Sequence, residues 1–214
     1  MHDAKGLSRG SRPASHARTD RLRPICVNAQ LGSSGLRRVS PRPKRKEVTV
    51  ADERLDAEWL RGWCEHTETA LAKLMQSFQA RHGFAPGSNV VVLATEQSHQ
   101  AMDALVELTA IPSDLTTMYW VIEEVTLVDV ENGYFVHPAS LVAEHFRDYG
   151  AVQIKGEEPG VVFASDGGGH LFALAGSGRV WRSSTASWFD QFDLAAAGLQ
   201  EFFEGLSRQI SGQL

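Results

Sequence analysis

The chain predicts an α+β domain in which a central antiparallel β-meander carries helices at its N- and C-terminal ends. Three observations lead there. Residues 161–164, 172–174 and 180–181 read as short strands, separated by Ser165-Asp166-Gly167-Gly168-Gly169 and by Gly176-Ser177-Gly178. Glycine takes positive φ at little steric cost, which tight antiparallel connections require. Upstream, Glu131-Asn132-Gly133 sits between the β-rich residues 125–130 and the run Tyr134-Phe135-Val136, a hairpin signal. Apolar residues then recur at helical spacing at both ends of the chain: Leu55, Trp59, Trp63, Leu71, Leu74 and Phe78, and later Leu194, Ala197, Phe202, Phe203, Leu206 and Ile210.

Before the first helix the composition is of another kind. Residues 1–50 hold 12 Lys and Arg against 3 Asp and Glu, a net of +9, whereas residues 51–214 hold 9 against 23, a net of −14. The first segment is rich in Arg, Ser, Pro and Gly and poor in large apolar residues, so it is expected to be disordered and dispensable for folding. Its cluster Pro41-Arg-Pro-Lys-Arg-Lys46 leaves three readings open: a tail with no role, an arm that binds nucleic acid or another polyanion, and a transit-type segment. The domain is expected over 51–214.

Within it the first helix is expected over about 52–81, with Gly83 as its stop. Val90 to Leu93 reads as a short buried strand. Ala101, Leu105 and Leu108 mark a second helix ended by Ile111-Pro112, and Ser113 or Asp114 is placed to cap a further turn bearing Leu115, Tyr119 and Trp120. Leu141, Val142, His145 and Phe146 suggest a short helix before the meander. Strands grouped in the middle and helices towards the ends favour α+β over a doubly wound sheet.

Chemistry is sparse. His66, His82, His99, His137, His145 and His170 lie in the domain, but none forms an i,i+4 His pair and no Cys pair accompanies them, so no metal and no cofactor is expected. Asp166 and His170 make the best proton-transfer pair by sequence; the simpler role of Asp166 is to fix the turn with its side chain. The Gly167-Gly168-Gly169 run leads into a strand and has no Lys, unlike a phosphate loop. Cys64, on a helix among Trp59, Trp63 and Leu71, reads as a buried thiol. With Cys26 it makes two cysteines, too few for a disulfide framework, which fits a reducing, cytoplasmic setting. There is no run of about 18 apolar residues, so no membrane partner is expected. The absence of an apolar h-region argues against a secretory signal.

The series Ile111-Pro-Ser-Asp-Leu115 with Tyr119, the Asn132-Gly133 hairpin, Ser165-Asp166-Gly167-Gly168-Gly169, Val180 and Leu199-Gln-Glu-Phe-Phe203 resembles the SUKH superfamily. That group includes yeast cell-wall regulators of the Smi and Knr type and many bacterial immunity proteins. The resemblance spans about residues 52–210. It implies an α+β binding domain without catalysis, and for bacterial members direct neutralisation of a cognate toxin, often a nuclease or deaminase.

The acidic balance points the same way, since a basic toxin cleft is met fastest by an acidic partner. Glu123, Glu124, Asp129 and Glu131 around the hairpin, Glu157 and Glu158 before the meander, and Trp188 are the expected partner-binding residues. Asn132, Gly133, Asp166, Gly167, Gly168 and Gly169 are the expected structural turns. A positive φ at Gly168 is part of that expectation. Nucleic acid enters only through residues 1–50. The alternatives are a small intracellular enzyme using His170 and Asp166, and a regulatory scaffold of the same fold.

Overall fold

The computed structural model describes residues 54–214; the expectations for residues 1–50 lie outside the described residues. The elements run α1 (Ala57–His82), β1 (Asn89–Leu93), α2 (Glu96–Leu108), α3 (Ser113–Val121), β2 (Ile122–Leu127), β3 (Tyr134–Val136), α4 (Ala139–Tyr149), β4 (Gly160–Asp166), β5 (Leu171–Ala175), β6 (Val180–Ser183), β7 (Phe192–Ala196) and α5 (Leu199–Gly212). The seven strands form one open sheet in which each strand pairs antiparallel with its neighbour along the chain. The class is α+β. Helices are not confined to the two ends, because α2, α3 and α4 fall between strands.

Local chemistry sets the boundaries. Asp56, in extended conformation, accepts the Trp59 amide at 2.7 Å and caps α1, so the helix begins five residues later than expected. Gly83, at φ 80°, ends it. At α3 the expected Ser or Asp cap is absent: Pro112 holds the N-cap position with no side-chain bond, and Asp114 instead accepts the Leu55 amide at 3.3 Å. That bond ties the start of α1 to the start of α3.

The last helix is shorter than expected. Leu194 pairs with Trp181 and Asp193 with Arg182, so residues 192–196 form β7 along the open edge of β6, and α5 starts only after Gly198. Leu194 therefore faces solvent, 56% exposed, rather than lining a helix. The run Ala195-Ala-Ala197 has helical propensity, but a free row of hydrogen-bonding groups on β6 outweighs it.

The core lies on both faces of β4 and β5. On one face Val161, Phe163, Phe172 and Leu174 meet Phe202, Phe203 and Leu206 of α5 and Leu60, Trp63 and Leu71 of α1. Phe202 packs edge-on against Phe163 at 5.4 Å. On the other face Val162, Ala173 and Ala175 are covered by Val152 and Ile154 and by Phe192, with Trp181 and Trp188 against them. Burial on both sides explains why β4 is nearly continuously apolar instead of alternating.

Candidate functional site

The glycine-rich turn is held by one carboxylate. Asp166 is buried, and its Oδ1 accepts the Gly168 amide at 2.9 Å, the His170 amide at 3.0 Å and His170 Nδ1 at 3.1 Å. Its Oδ2 accepts Arg182 Nη2 at 2.7 Å. Burial pushes this carboxyl up, but the Arg182 and His170 bonds outweigh it and hold it below the usual carboxylate range. Asp166 is thereby spent on the turn and on Arg182, and His170 is one of the groups it orients. The positive φ falls on Gly169, at 79°, and not on Gly168 as expected. Gly167 is glycine for a different reason: a Cβ there would lie 1.8 Å from the Asn132 carbonyl oxygen. Two clefts, about 170 Å³ beside Ser98, Tyr119 and Glu123 and about 580 Å³ between α1 and α5 beside Trp59, His66 and Arg208, are lined by other residues. Cys64 is buried, and that burial pushes its thiol up to about 12, which keeps it protonated at neutral pH.

The acidic residues singled out in the sequence fall into three places. Glu123 and Glu124 open β2; Glu123 accepts the Ser98 hydroxyl, and Glu124 lies opposite Val92 of β1. Asp129 and Glu131 lie past the far end of the same strand. Asp129 is occupied in building the entry to β1, accepting the Gly87 amide at 2.7 Å and Asn89 Nδ2 at 2.6 Å. Glu131 takes φ 53° in the hairpin and accepts Gln213 Nε2 at 3.4 Å. Glu157 and Glu158 precede Gly160, at the end of β4 away from that hairpin, and Glu157 pairs with Arg179 at 3.0 Å. One surface therefore does not collect all six.

Around Glu123 and Glu124 the structure exposes residues outside the expected partner-binding set, among them Leu93, whose strand was expected to be buried. Trp120, last but one in α3, is 50% exposed, and Leu93, opposite Ile122 at the end of β1, is 51% exposed. His99 of α2 lies against Trp120 with ring centroids 4.0 Å apart. The Ser98–Glu123 bond brings the first turn of α2, with exposed Glu96, to the same place. No Lys or Arg occurs between Arg81 and Arg147, whereas nine Asp and Glu do. An exposed indole in a sequence stretch that carries carboxylates and no Lys or Arg suits Arg or Lys of a partner through cation–π and charge pairing.

A second aromatic group lies at the end of α4. Trp188 is half-buried and stacks on Tyr149 at 4.8 Å and 18°, and Phe189 beside it is 86% exposed. His145 meets Trp188 edge-on at 5.3 Å and His137 at 5.8 Å. Burial, and next the neighbouring His145, lower His137 to about 4. Among the described residues no group of three or more His, Cys, Asp or Glu is arranged to hold a metal, and no helix is long and apolar enough to cross a membrane.

The fold and its surface define an acidic α+β domain with an open antiparallel sheet. Comparison of the chain with family models, with curated proteins and with solved structures finds no match.

Proposed function

We propose that the domain is a non-catalytic binding protein of SUKH type whose partner is a basic protein, in the immunity setting a toxin domain of the nuclease or deaminase class. The observation that carries this reading is the exposed Trp120 and Leu93 beside Glu96, Glu123 and Glu124, in a stretch without Lys or Arg. Tightly bound interfaces concentrate their energy in a few aromatic anchors, while surrounding charge sets the rate and the choice of partner. Glu123 and Glu124 keep the role assigned from sequence. Asp129 is reassigned to the β1 entry, while Glu157, paired with Arg179, and Glu158 lie at the same strand end as Glu123 and Glu124 but two strands away across the sheet. An enzyme built on His170 and Asp166 is the weaker reading, since Asp166 is fully engaged in the turn.

The test is association kinetics with a candidate toxin domain, sought in the open reading frames next to this one. Glu123→Lys with Glu124→Lys is expected to slow association at least tenfold at low salt and to flatten its salt dependence. Trp120→Ala is expected to speed dissociation while leaving the melting temperature within about 2 °C. Unchanged rates in both variants would place the interface elsewhere. Turnover of a small substrate that His170→Ala abolishes would replace the reading with the enzyme.

A further inference from the structure

We propose that the cleft between α1 and α5 binds a planar aromatic acid, its ring against Trp59 and Trp63 and its acid group on Arg208. The site is separate from the Trp120 surface, and it stands or falls independently of the partner proposed there.

The cleft has the size and the walls of a small-molecule site. Its volume is about 580 Å³, inside the range that takes organic ligands. Trp59, Gly62, Trp63 and His66 follow one another at helical spacing along α1, and Glu204, Ser207 and Arg208 do so along α5. One face of each helix thus supplies one wall. Trp63 is buried and tied to the Phe203 carbonyl, which fixes the spacing of the walls. Trp59 is only partly buried. Flat indole surfaces favour a flat ring.

Gly62 is the residue that packing leaves unexplained. It lies inside α1, where glycine is less favourable than alanine, and it takes no positive φ. A Cβ at this position would meet no neighbouring atom within 4 Å, so no close approach requires its absence. The missing side chain instead keeps the cleft wide between Trp59 and His66.

The polar groups select the ligand. Arg208 is exposed, and its ion pair with Glu204, at 3.9 Å, lies outside hydrogen-bond range. Glu204 already accepts Gln200 Nε2 at 3.1 Å. An acid group that takes two guanidinium donors in parallel at hydrogen-bond distance outcompetes that loose pair, whereas a cationic ring would be set against Arg208. The net −14 of residues 51–214 repels an anion at long range, but salt screens this beyond about 10 Å. On the facing wall His66 Nδ1 lies 2.6 Å from the Gly62 carbonyl, which can only accept. The proton of the neutral ring therefore sits on Nδ1, and Nε2 is left to accept an O–H or N–H from the ligand.

The experiment titrates the full chain with 6-hydroxy-2-naphthoate, a planar aromatic acid with a hydroxyl at its far end, and with 2-naphthol, which lacks the acid group. Ligand fluorescence anisotropy is read. One site per chain is expected, at least tenfold tighter for the naphthoate. Arg208→Gln is expected to abolish that difference and to leave naphthol binding unchanged. Gly62→Leu is expected to weaken both ligands at least tenfold without lowering the melting temperature, and Ser207→Leu, from the facing wall, to do the same to binding. Trp120→Ala and Phe189→Ser, at the other two exposed aromatic groups, are expected to change neither affinity. Absence of naphthoate binding at millimolar concentration would overturn the proposal, as would binding that survives both Gly62→Leu and Ser207→Leu or is lost in Trp120→Ala or Phe189→Ser. Naphthol bound as tightly as the naphthoate would overturn the selection of an acid.

Discussion

The amide of Gly167 donates to the carbonyl of Gly133 across 3.1 Å, so the turn between β4 and β5 rests directly on the turn between β2 and β3. Tyr134 lies opposite Asp166 in the ladder, and this register brings the two turns to one end of the sheet. Each of the three glycines in the run after Asp166 has its own reason. Gly167 makes room for the Asn132 carbonyl, Gly169 supplies the positive φ, and Gly168 lies close to the Asp166 and His170 side chains.

Gly167→Ala is therefore expected to force the two turns apart and to destabilise by about 1–3 kcal/mol. Gly168→Ala meets only the movable His170 ring and the Asp166 carboxylate, at 3.1 Å and 3.2 Å, and is expected to cost less than half as much. Urea unfolding of the two variants checks the order. A reversed order would mean that the turns do not rest on each other through Gly167.

Asp166→Ala removes the acceptor for two backbone amides, for His170 and for Arg182, and is expected to cost about 2–3 kcal/mol. Asp166→Asn keeps one acceptor and is expected to lose less. The folded carboxyl titrates lower than the unfolded one, so its contribution is complete above the ordinary pKa of 3.8 and is lost as pH falls through the lower folded value. Acid titration should show the wild-type advantage over Asp166→Asn shrinking in that range. An advantage independent of pH would remove the charged pair with Arg182 from the account.

His137 predicts pH dependence at higher values. Its folded pKa, about 4, lies below the ordinary 6.5, so the fold holds the ring neutral while the unfolded chain takes up a proton. Stability from this site is complete above 6.5, falls as pH drops from 6.5 towards 4, and levels off below. The full change is on the order of 3 kcal/mol. Carboxylates also titrate near 4, so the measurement is the difference between wild type and His137→Gln. Parallel curves from pH 7 to 4 would count against it.

Trp63 Nε1 donates to the Phe203 carbonyl at 2.9 Å, and the two rings lie 4.6 Å apart. Trp63→Phe keeps much of the apolar contact and loses the bond, an expected cost of about 1 kcal/mol. Phe203→Ala empties a fully buried position and is expected to cost about 3–5 kcal/mol. Similar losses in the two variants would mean that the hydrogen bond matters more than the packing around it.

Features governed by local backbone chemistry are the ones legible in the sequence. Gly83 ends α1 and Gly133 leads into β3 at Tyr134–Val136, each at a positive φ that leaves a mark on its residue, but the connection is a six-residue loop, 128–133, because β2 ends at Leu127 and not at 130 as expected. β7 is hidden because its strand character comes from the edge of β6, and nothing in Leu194-Ala-Ala-Ala197 announces that edge. Trp120 is hidden for a related reason. The nine residues of α3 bury Leu115, Met118, Tyr119 and Val121, and so short and apolar a helix gives no periodicity from which to find the side left open. Asp129 carries the charge of a partner contact in the sequence, and only the fold shows its carboxylate turned back on Gly87 and Asn89.

The bond from Trp63 to Phe203 spans 140 positions of the chain, which sets an order of events during synthesis. At about 5–20 residues per second, α1 waits between roughly 7 and 30 seconds on the ribosome before its main helical partner is made. Through that interval the stripe formed by Leu60, Trp63, Leu71 and Phe78 lacks the α5 surface it packs against in the finished domain. A nascent chain arrested just before Leu199 is expected to engage a chaperone through α1 and to be cut there by protease, whereas the released chain resists both. The cover over α1 is thus complete only once α5 has also left the ribosome.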